Sequence, residues 1–185
     1  MRRELTLTDI AGYLPYGLKI QDEDQDIWTI RQLGNADPCM DGDVGLISDD
    51  GCYEYYTYID DIKPVLRPMS DLYVEITDKY YNDGKLFVPI VELANLLGES
   101  KIYQWELHSD GRCAFSPEAM DYFRWLEEEK SFVHSLSYCE FSTGYVIFNQ
   151  HEMYDLLHRL HFDYRGLTPA GLAVSVHDLK QNPYE

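Results

Sequence analysis

Short apolar runs separated by polar turns fill the first sixty residues of the chain. Thr6, with Asp9 three residues later, predicts a short helix over 6–14 that ends at Pro15. Alternating apolar and polar positions then predict strands over 17–21, 27–33, 43–48 and 52–59. Together these segments predict a small antiparallel sheet or a partly open barrel. The alternation is imperfect, so it does not assign strand faces to the core.

Two prolines mark the point at which the pattern changes. Pro64 and Pro68 each lack an amide donor and favour extended geometry in the residue before them. We therefore expect 63–67 to be extended and unsuited to the middle of a sheet. Ser70 predicts the start of a helix that runs to about Lys79.

Helical spacing of apolar residues is more frequent after the proline-containing segment 63–68. It predicts helices over 89–97, 117–130 and 151–164, and a last short strand follows at 172–176. Alternation predicts two hairpins, made by 102–107 with 112–115 and by 133–141 with 144–148. The tail 180–185 is expected to fray.

The predicted fold class is therefore α+β. We expect a short N-terminal helix and an antiparallel β-rich half, followed by a mixed half with about three helices and two hairpins. The proline-containing segment 63–68 suggests a boundary, with an acidic β-rich lobe over residues 1–69 and a mixed α/β lobe over 70–185. One continuous domain is the alternative, since the length suits either arrangement.

The charge is strongly negative and concentrated. The chain has 33 acidic residues against 15 Lys and Arg, a formal net charge of −18. Residues 21–62 hold twelve acids and the single base Arg31, a net charge of −11. Such a field repels nucleic acids and anionic membranes and attracts basic partners, although solubility alone is the alternative explanation.

Eight carboxylates of this acidic part are the candidate partner-binding residues. Six of them lie in two predicted turns, at 22–26 and 49–51, and the other two lie just before the proline-containing segment 63–68. The candidates are Asp22, Glu23, Asp24, Asp26, Asp49, Asp50, Asp60 and Asp61. Asp60 and Asp61 are neighbours, so in a strand they point to opposite faces and cannot share a proton in acid–base catalysis.

A weak metal-binding pattern lies on the predicted last helix. His158 and His161 are three residues apart, and Asp155 completes a possible ligand set. Ordinary surface or edge-packed histidines are the alternative explanation. The four cysteines have no Cys-x-x-Cys spacing, and no P-loop, dinucleotide-binding motif or nucleophile elbow is present. The sequence therefore assigns no catalytic residue and no cofactor.

Three blocks of the chain carry a resemblance. Tyr-Leu-Pro-Tyr-Gly-Leu-Lys at 13–19, Ile-Lys-Pro-Val-Leu-Arg-Pro-Met-Ser-Asp-Leu at 62–72 and Leu-His-Phe-Asp-Tyr-Arg-Gly-Leu at 160–167 resemble a family of short proteins encoded by phages and prophages of gut-type bacteria. The family supplies no activity or functional residue that can be transferred to this chain. The resemblance implies a small cytoplasmic protein that a mobile element makes in a bacterial host cell.

These observations favour a non-enzymatic binding protein. Its acidic surface would engage a basic protein and mimic a nucleic acid, so as to inhibit a nucleic-acid-binding host defence or DNA-processing protein. We expect no direct binding of nucleic acid and no membrane association, since no apolar run is long enough to cross a bilayer. The alternatives are a metal-dependent hydrolase or nuclease that uses the His/Asp helix, and a homo-oligomeric accessory protein with a tyrosine-rich interface.

Overall fold

The computed structural model describes residues 3–34, 41–96, 106–107, 113–114, 122–135, 145–146 and 150–185. The chain forms two compact units. Unit 1 contains Met1–Met69 and Leu157–Pro183, and unit 2 contains Ser70–Leu156 and Tyr184–Glu185. Residues 157–183 therefore belong with the acidic N-terminal part, whereas the sequence pattern suggested that they belong to the lobe 70–185. The predicted α+β class is confirmed, with a six-stranded mixed sheet and a five-stranded sheet.

Unit 1 is built on the six-stranded sheet. Its helical elements are α1 (Leu7–Ile10) and the 3-10 helices Ala11–Tyr16, Ile59–Asp61 and Val176–Asp178. Its strands are β1 (Lys19–Gln21), β2 (Ile27–Leu33), β3 (Val44–Ile47), β4 (Glu54–Thr57), β5 (Lys63–Leu66) and the C-terminal strand β11 (Val174–Ser175). The strand order is β11-β5-β1-β2-β3-β4, antiparallel except for the parallel pair of β11 and β5. This sheet is not a closed barrel.

The first helix begins as its sequence predicts. The Asp9 carboxylate accepts hydrogen bonds from the Thr6 amide at 3.2 Å and from the Thr6 hydroxyl at 2.8 Å. The first of these bonds satisfies a backbone amide that the start of a helix leaves without a partner. Gly17 has a φ of 69° and ends the following 3-10 helix. Glycine adopts this left-handed conformation without a steric penalty, so the chain can turn here into β1.

A bulge in β2 explains the imperfect alternation. The register with β3 shifts between Ile30 and Gln32, so one extra residue, Arg31, is inserted. The shift puts Ile30 and Leu33, three positions apart, against the same core. The buried members of that core are Leu5, Ile10, Tyr13, Leu18, Ile20, Ile30, Val44, Leu46, Ile62, Leu66, Leu167 and Ala173.

The proline-containing strand β5 lies inside the sheet, between β11 and β1. The prediction that 63–67 is extended is confirmed, but the prediction that it cannot lie in the middle of a sheet is wrong. Lys63 and Pro64 pair with β1, whereas Val65 and Leu66 pair with β11. Each ladder is short. Because proline has no amide hydrogen, Pro64 costs the sheet at most one hydrogen bond.

Unit 2 combines helices with the five-stranded sheet. Its helical elements are α2 (Pro89–Asn95), the 3-10 helix Asn82–Gly84, most of the 3-10 helix Met69–Tyr73, and the beginning of α3 (Gln150–Arg159), which ends in unit 1. Its strands are β6 (Glu106–Leu107), β7 (Cys113–Ala114), β8 (Tyr122–Leu126), β9 (Ser131–Ser135) and β10 (Tyr145–Val146). All of its strand pairs are antiparallel, in the order β10-β9-β8-β7-β6.

Two predicted helices are wrong. The segment 70–79 forms only the 3-10 helix Met69–Tyr73, and Ile76 then bridges Phe87 in extended geometry. The described part of the predicted helix 117–130 is the strand β8 and a turn. Aromatic packing explains the strand, since Phe132 of β9 stacks on Phe123 at a ring-centroid distance of 5.1 Å and lies edge-on to Trp125 at 4.9 Å.

Of the other elements predicted in the C-terminal half, the two hairpins are confirmed and the last helix is shorter than predicted. β6 pairs with β7 and β9 with β10, as the two hairpins required. The helix α3 ends at Arg159 instead of about Tyr164, and His161 beyond it has a φ of 60°. The predicted fraying of the tail is wrong at Tyr184, which is fully buried and whose carbonyl accepts a hydrogen bond from the Lys79 amide at 2.9 Å.

Candidate functional site at the acidic end of the six-stranded sheet

Strand register brings the acidic turns to the same end of the sheet. Asp22 to Asp26 form the tip of the hairpin between β1 and β2, closed by the pair Gln21–Ile27. Lys63 also pairs with Gln21, so Asp60 and Asp61 precede β5 beside this tip. The β3–β4 turn that contains Asp49 and Asp50 follows Ile47, which pairs with Thr29 near the start of β2.

We call this region, defined by the eight candidate carboxylates, the acidic end. The strands β5, β1, β2 and β3 are consecutive neighbours, so the outermost acidic turns are separated by three strand spacings. At about 4.8 Å per spacing, that separation is roughly 14 Å. The sequence alone cannot supply this proximity, because the three turns are far apart along the chain.

Asp22 organises the hairpin tip. Its carboxylate accepts hydrogen bonds from the Asp26 amide at 2.8 Å, the Trp28 indole at 2.8 Å and the Tyr55 hydroxyl at 3.1 Å. Burial and the neighbouring Asp22 charge raise the pKa of Tyr55. The Trp28 and Tyr55 rings pack edge to face at 4.7 Å. Asp22 is therefore a structural residue that joins the tip to β4.

Asp49 and Asp50 are also engaged within the fold. Asp49 forms an ion pair with Lys19, whose side chain is buried. Asp50 accepts hydrogen bonds from the Ser48 hydroxyl at 2.5 Å and from the Cys52 amide at 3.0 Å. These two bonds lower the pKa of Asp50. Both carboxylates hold the β3–β4 turn in place.

The other five carboxylates have no hydrogen bond or ion pair to the part of the chain that the structure describes. Glu23, Asp24, Asp26 and Asp60 are exposed, and Asp61 is half-buried. A surface hollow of about 460 Å³ is lined by Asp22, Glu23, Asp60 and Asp61, with Lys63 also in its wall. A second hollow, of about 510 Å³, is lined by residues that include Asp24, Asp178 and Lys180. Among the eight candidates, these five are the ones whose charge is not engaged with described residues.

The candidate metal ligands have other roles. His161 is buried, and its Nε2 donates a hydrogen bond to the Tyr16 carbonyl at 3.1 Å. Burial, with a smaller contribution from the charge of Arg67, lowers the pKa of His161 to about 3. Within the described ranges, no group of three or more His, Cys, Asp or Glu side chains is arranged to hold a metal ion.

The second candidate histidine belongs to an aromatic cluster. The His158 ring packs edge-on against Tyr13 at 4.6 Å, and its Nε2 lies 2.9 Å from the Tyr164 hydroxyl. A Cβ on Gly12 would lie 2.4 Å from this ring, so glycine is what permits the approach. Asp155, the third candidate, is exposed on α3.

No sequence signal indicated that the edge strand β4 begins at the acidic end and leads to further acids at its other end. Glu54 on this strand pairs with Arg31, and Asp41 and Asp43 lie near Tyr58 just beyond its end. The run of aromatic residues at 53–58 predicted a strand but gave no indication that it would be the edge of the sheet.

Comparison with protein-family models, curated proteins and solved structures found no match. Among the helices in the described ranges, none has both the length and the apolar composition that crossing a bilayer requires.

Proposed function

We propose that this chain is a non-enzymatic binding protein whose acidic end engages a basic surface of a partner protein. The observation that carries the proposal is the strand register, which gathers eight carboxylates at one end of the sheet. Five of them are not engaged with described residues, so their charge is available. Attraction to a basic partner follows from the concentrated negative field.

Nucleic-acid mimicry is the form of binding that this arrangement suits best. Double-stranded DNA carries one charge per about 1.7 Å of its axis, so a mimic needs dense carboxylates on a small surface. The acidic end places its turns within roughly 14 Å of one another. A protein that binds nucleic acid, such as a host defence or DNA-processing protein, is the proposed partner. The resemblance to phage and prophage proteins supports this context.

Two charge variants test the proposal. The acidic-end variant converts Glu23 to Gln and Asp24, Asp26 and Asp60 to Asn. It leaves Asp22, Asp49 and Asp50 unchanged, because their hydrogen bonds and ion pair maintain the turns. The control variant neutralises four exposed acids of unit 2, namely Glu75, Asp83, Glu128 and Glu129. Both variants remove four negative charges and little bulk.

The immobilised proteins are incubated with lysate of an enteric bacterium at low and high salt. We expect the wild-type chain and the control variant to capture the same nucleic-acid-binding protein, which high salt or added double-stranded DNA releases. The acidic-end variant should capture much less, because steering by charge is lost. Equal capture by the two variants would contradict the proposal and leave the acidic residues with a role in solubility alone.

A further inference from the structure

The outer edge of β4 has backbone groups that point away from the sheet. β4 is the last strand in the order, and no strand in the described ranges pairs with its other side. The Ser48 amide donates to the Tyr53 carbonyl at 2.9 Å, so these two opposite residues are a hydrogen-bonded pair. Bonded and non-bonded pairs alternate in an antiparallel ladder. The pairing therefore directs the amides and carbonyls of Glu54 and Tyr56 outward.

Within the described ranges, β4 carries no lysine, proline or bulge that would block strand addition. Natural edge strands are protected by lysine, proline, bulges or a covering element. The sequence of β4 is Glu-Tyr-Tyr-Thr, and its pairing with β3 is regular over all four residues. Tyr53 before the strand is 69% exposed and Tyr58 after it is 45% exposed. Tyrosine provides contact area together with a hydrogen-bonding group, which suits an interface.

Negative charge lies at both ends of the strand. Asp49 and Asp50 precede it. At its other end, a hydrogen bond to Asp41 and the charges of Asp41 and Asp43 raise the pKa of Tyr58. Arg31, the base beside the strand, is neutralised by Glu54 at 2.7 Å. A second copy of this chain would bring the same negative charge to the edge, so the charge disfavours self-pairing.

We infer that the outer edge of β4 binds an extended lysine- or arginine-rich segment of the partner as an added strand. The inference rests on the proposed function, because it specifies how the basic partner is held. Backbone hydrogen bonds to Glu54 and Tyr56 would supply affinity, while basic side chains would meet the acidic residues at the strand ends. β4 has four residues, so it accommodates a segment about 13 Å long.

A matched pair of substitutions at one position tests the role of the backbone. Glu54→Pro removes an amide that points outward and leaves the ladder with β3 intact, because proline is tolerated at such edge positions. Glu54→Ala removes the same carboxylate but keeps the amide. The probe is a ten-residue peptide of alternating lysine and threonine, titrated at low salt. We expect Glu54→Pro to bind at least tenfold more weakly than Glu54→Ala, and equal affinities would overturn the inference.

Amide exchange in the wild-type protein provides a test that needs no variant. The amides of Glu54 and Tyr56 should exchange rapidly in the free protein and become at least tenfold slower when the peptide binds. The Tyr55 amide, which faces β3, should already be protected in the free protein and serves as the control. Binding without protection at Glu54 and Tyr56, or no binding by the wild-type chain, would overturn the inference.

The acidic-end variant separates this inference from the proposed function. If that variant loses peptide binding while Glu54→Pro and Glu54→Ala bind equally, strand addition is refuted and the charge proposal is supported. If Glu54→Pro alone loses binding and the acidic-end variant binds like the wild type, strand addition is supported and the charge proposal is refuted.

Discussion

The buried His161 should make unit 1 less stable in mild acid. Its ring is 1% exposed and donates to the Tyr16 carbonyl, while Arg67 and Lys19 add positive charge nearby. Burial lowers the pKa of His161 to about 3 from its ordinary value of 6.5. The unfolded chain therefore takes up a proton below pH 6.5 that the folded protein does not accept. Stability is complete above this pH and falls as the solution becomes more acidic.

The size of the effect follows from linkage. The free energy of unfolding changes by about 1.4 kcal/mol per pH unit where only the unfolded state is protonated. Between pH 7 and pH 5, a group with these two pKa values should cost about 2 kcal/mol. That is a large part of the 5–15 kcal/mol that typically stabilises a domain. The range from pH 7 to pH 5 lies above the ordinary pKa of carboxylates, so carboxylate protonation contributes little to this loss of stability.

Urea unfolding at pH 7, 6 and 5, followed by the fluorescence of Trp28 in a variant without the other tryptophans, measures this loss. His161→Asn should reduce the pH dependence, because asparagine does not titrate and tolerates the positive φ of 60° at this position. His151→Asn is the control, since the His151 side chain is 80% exposed and should leave the pH dependence unchanged. An NMR titration in which folded His161 protonates above pH 5 would refute the reasoning, as would equal slopes for wild type and His161→Asn.

Three further substitutions test interactions inside unit 1 or inside unit 2. Gly42→Ala should destabilise unit 1 by more than about 1 kcal/mol in urea unfolding, because its Cβ would lie 2.7 Å from the Thr57 backbone at a φ of 140°; a smaller loss would contradict this close approach. Tyr184→Ala should cost unit 2 about 3–5 kcal/mol in the same assay, since the ring is fully buried, and a change under 1 kcal/mol would mean that the ring does not pack. For Asp9, burial raises the pKa, but the Thr6 hydrogen bonds and the Arg3 charge outweigh it and keep the pKa below its ordinary 3.8. Asp9→Asn should therefore lower the melting temperature at pH 7 and lose this effect as the pH falls below 3.8, whereas an equal effect at both pH values would exclude the carboxylate charge as the cause.

Local signals predicted the strands of unit 1 well because those signals act within a few residues. Turn residues and β-branched or aromatic runs located β1 to β4 to within a few positions. The bulge at Arg31 was not predictable, because it appears only when β2 is aligned with β3. The same limit applies to β5, whose place between β11 and β1 depends on a partner more than a hundred residues away.

The two wrong helices show how pairing overrides helical spacing. The run Tyr122 to Leu126 has an apolar spacing that fits a helix, yet the rings of Phe123 and Trp125 pack across strands against Phe132. Near Ile76, the β-branched residues Val74 and Thr77 weaken the helix, and the bridge to Phe87 fixes an extended chain. In both places, contacts with another segment of unit 2 determine the backbone conformation.

Residues from the three blocks that carry the resemblance meet inside unit 1. The Tyr13 hydroxyl donates to the Phe162 carbonyl at 2.7 Å. The Arg67 amide donates to the His161 carbonyl and the Asp163 amide to the Arg67 carbonyl, both at 2.8 Å. These bonds join the first, second and third blocks through backbone atoms and buried side chains. The blocks therefore contain residues that the fold of unit 1 needs.

All eight carboxylates of the acidic end lie outside those blocks, in the turns at 22–26, 48–50 and 59–61. The blocks fix where β1 and β5 lie, and the strand register then determines where these turns meet. The exposed acids of these turns that make no hydrogen bond or ion pair to described residues can change with little effect on stability, because such substitutions usually alter it by less than about 0.5 kcal/mol. A resemblance based on the blocks thus concerns the scaffold of unit 1. In the proposed function, partner choice would depend on the acidic turns and the β4 edge, whose chemistry the blocks do not determine.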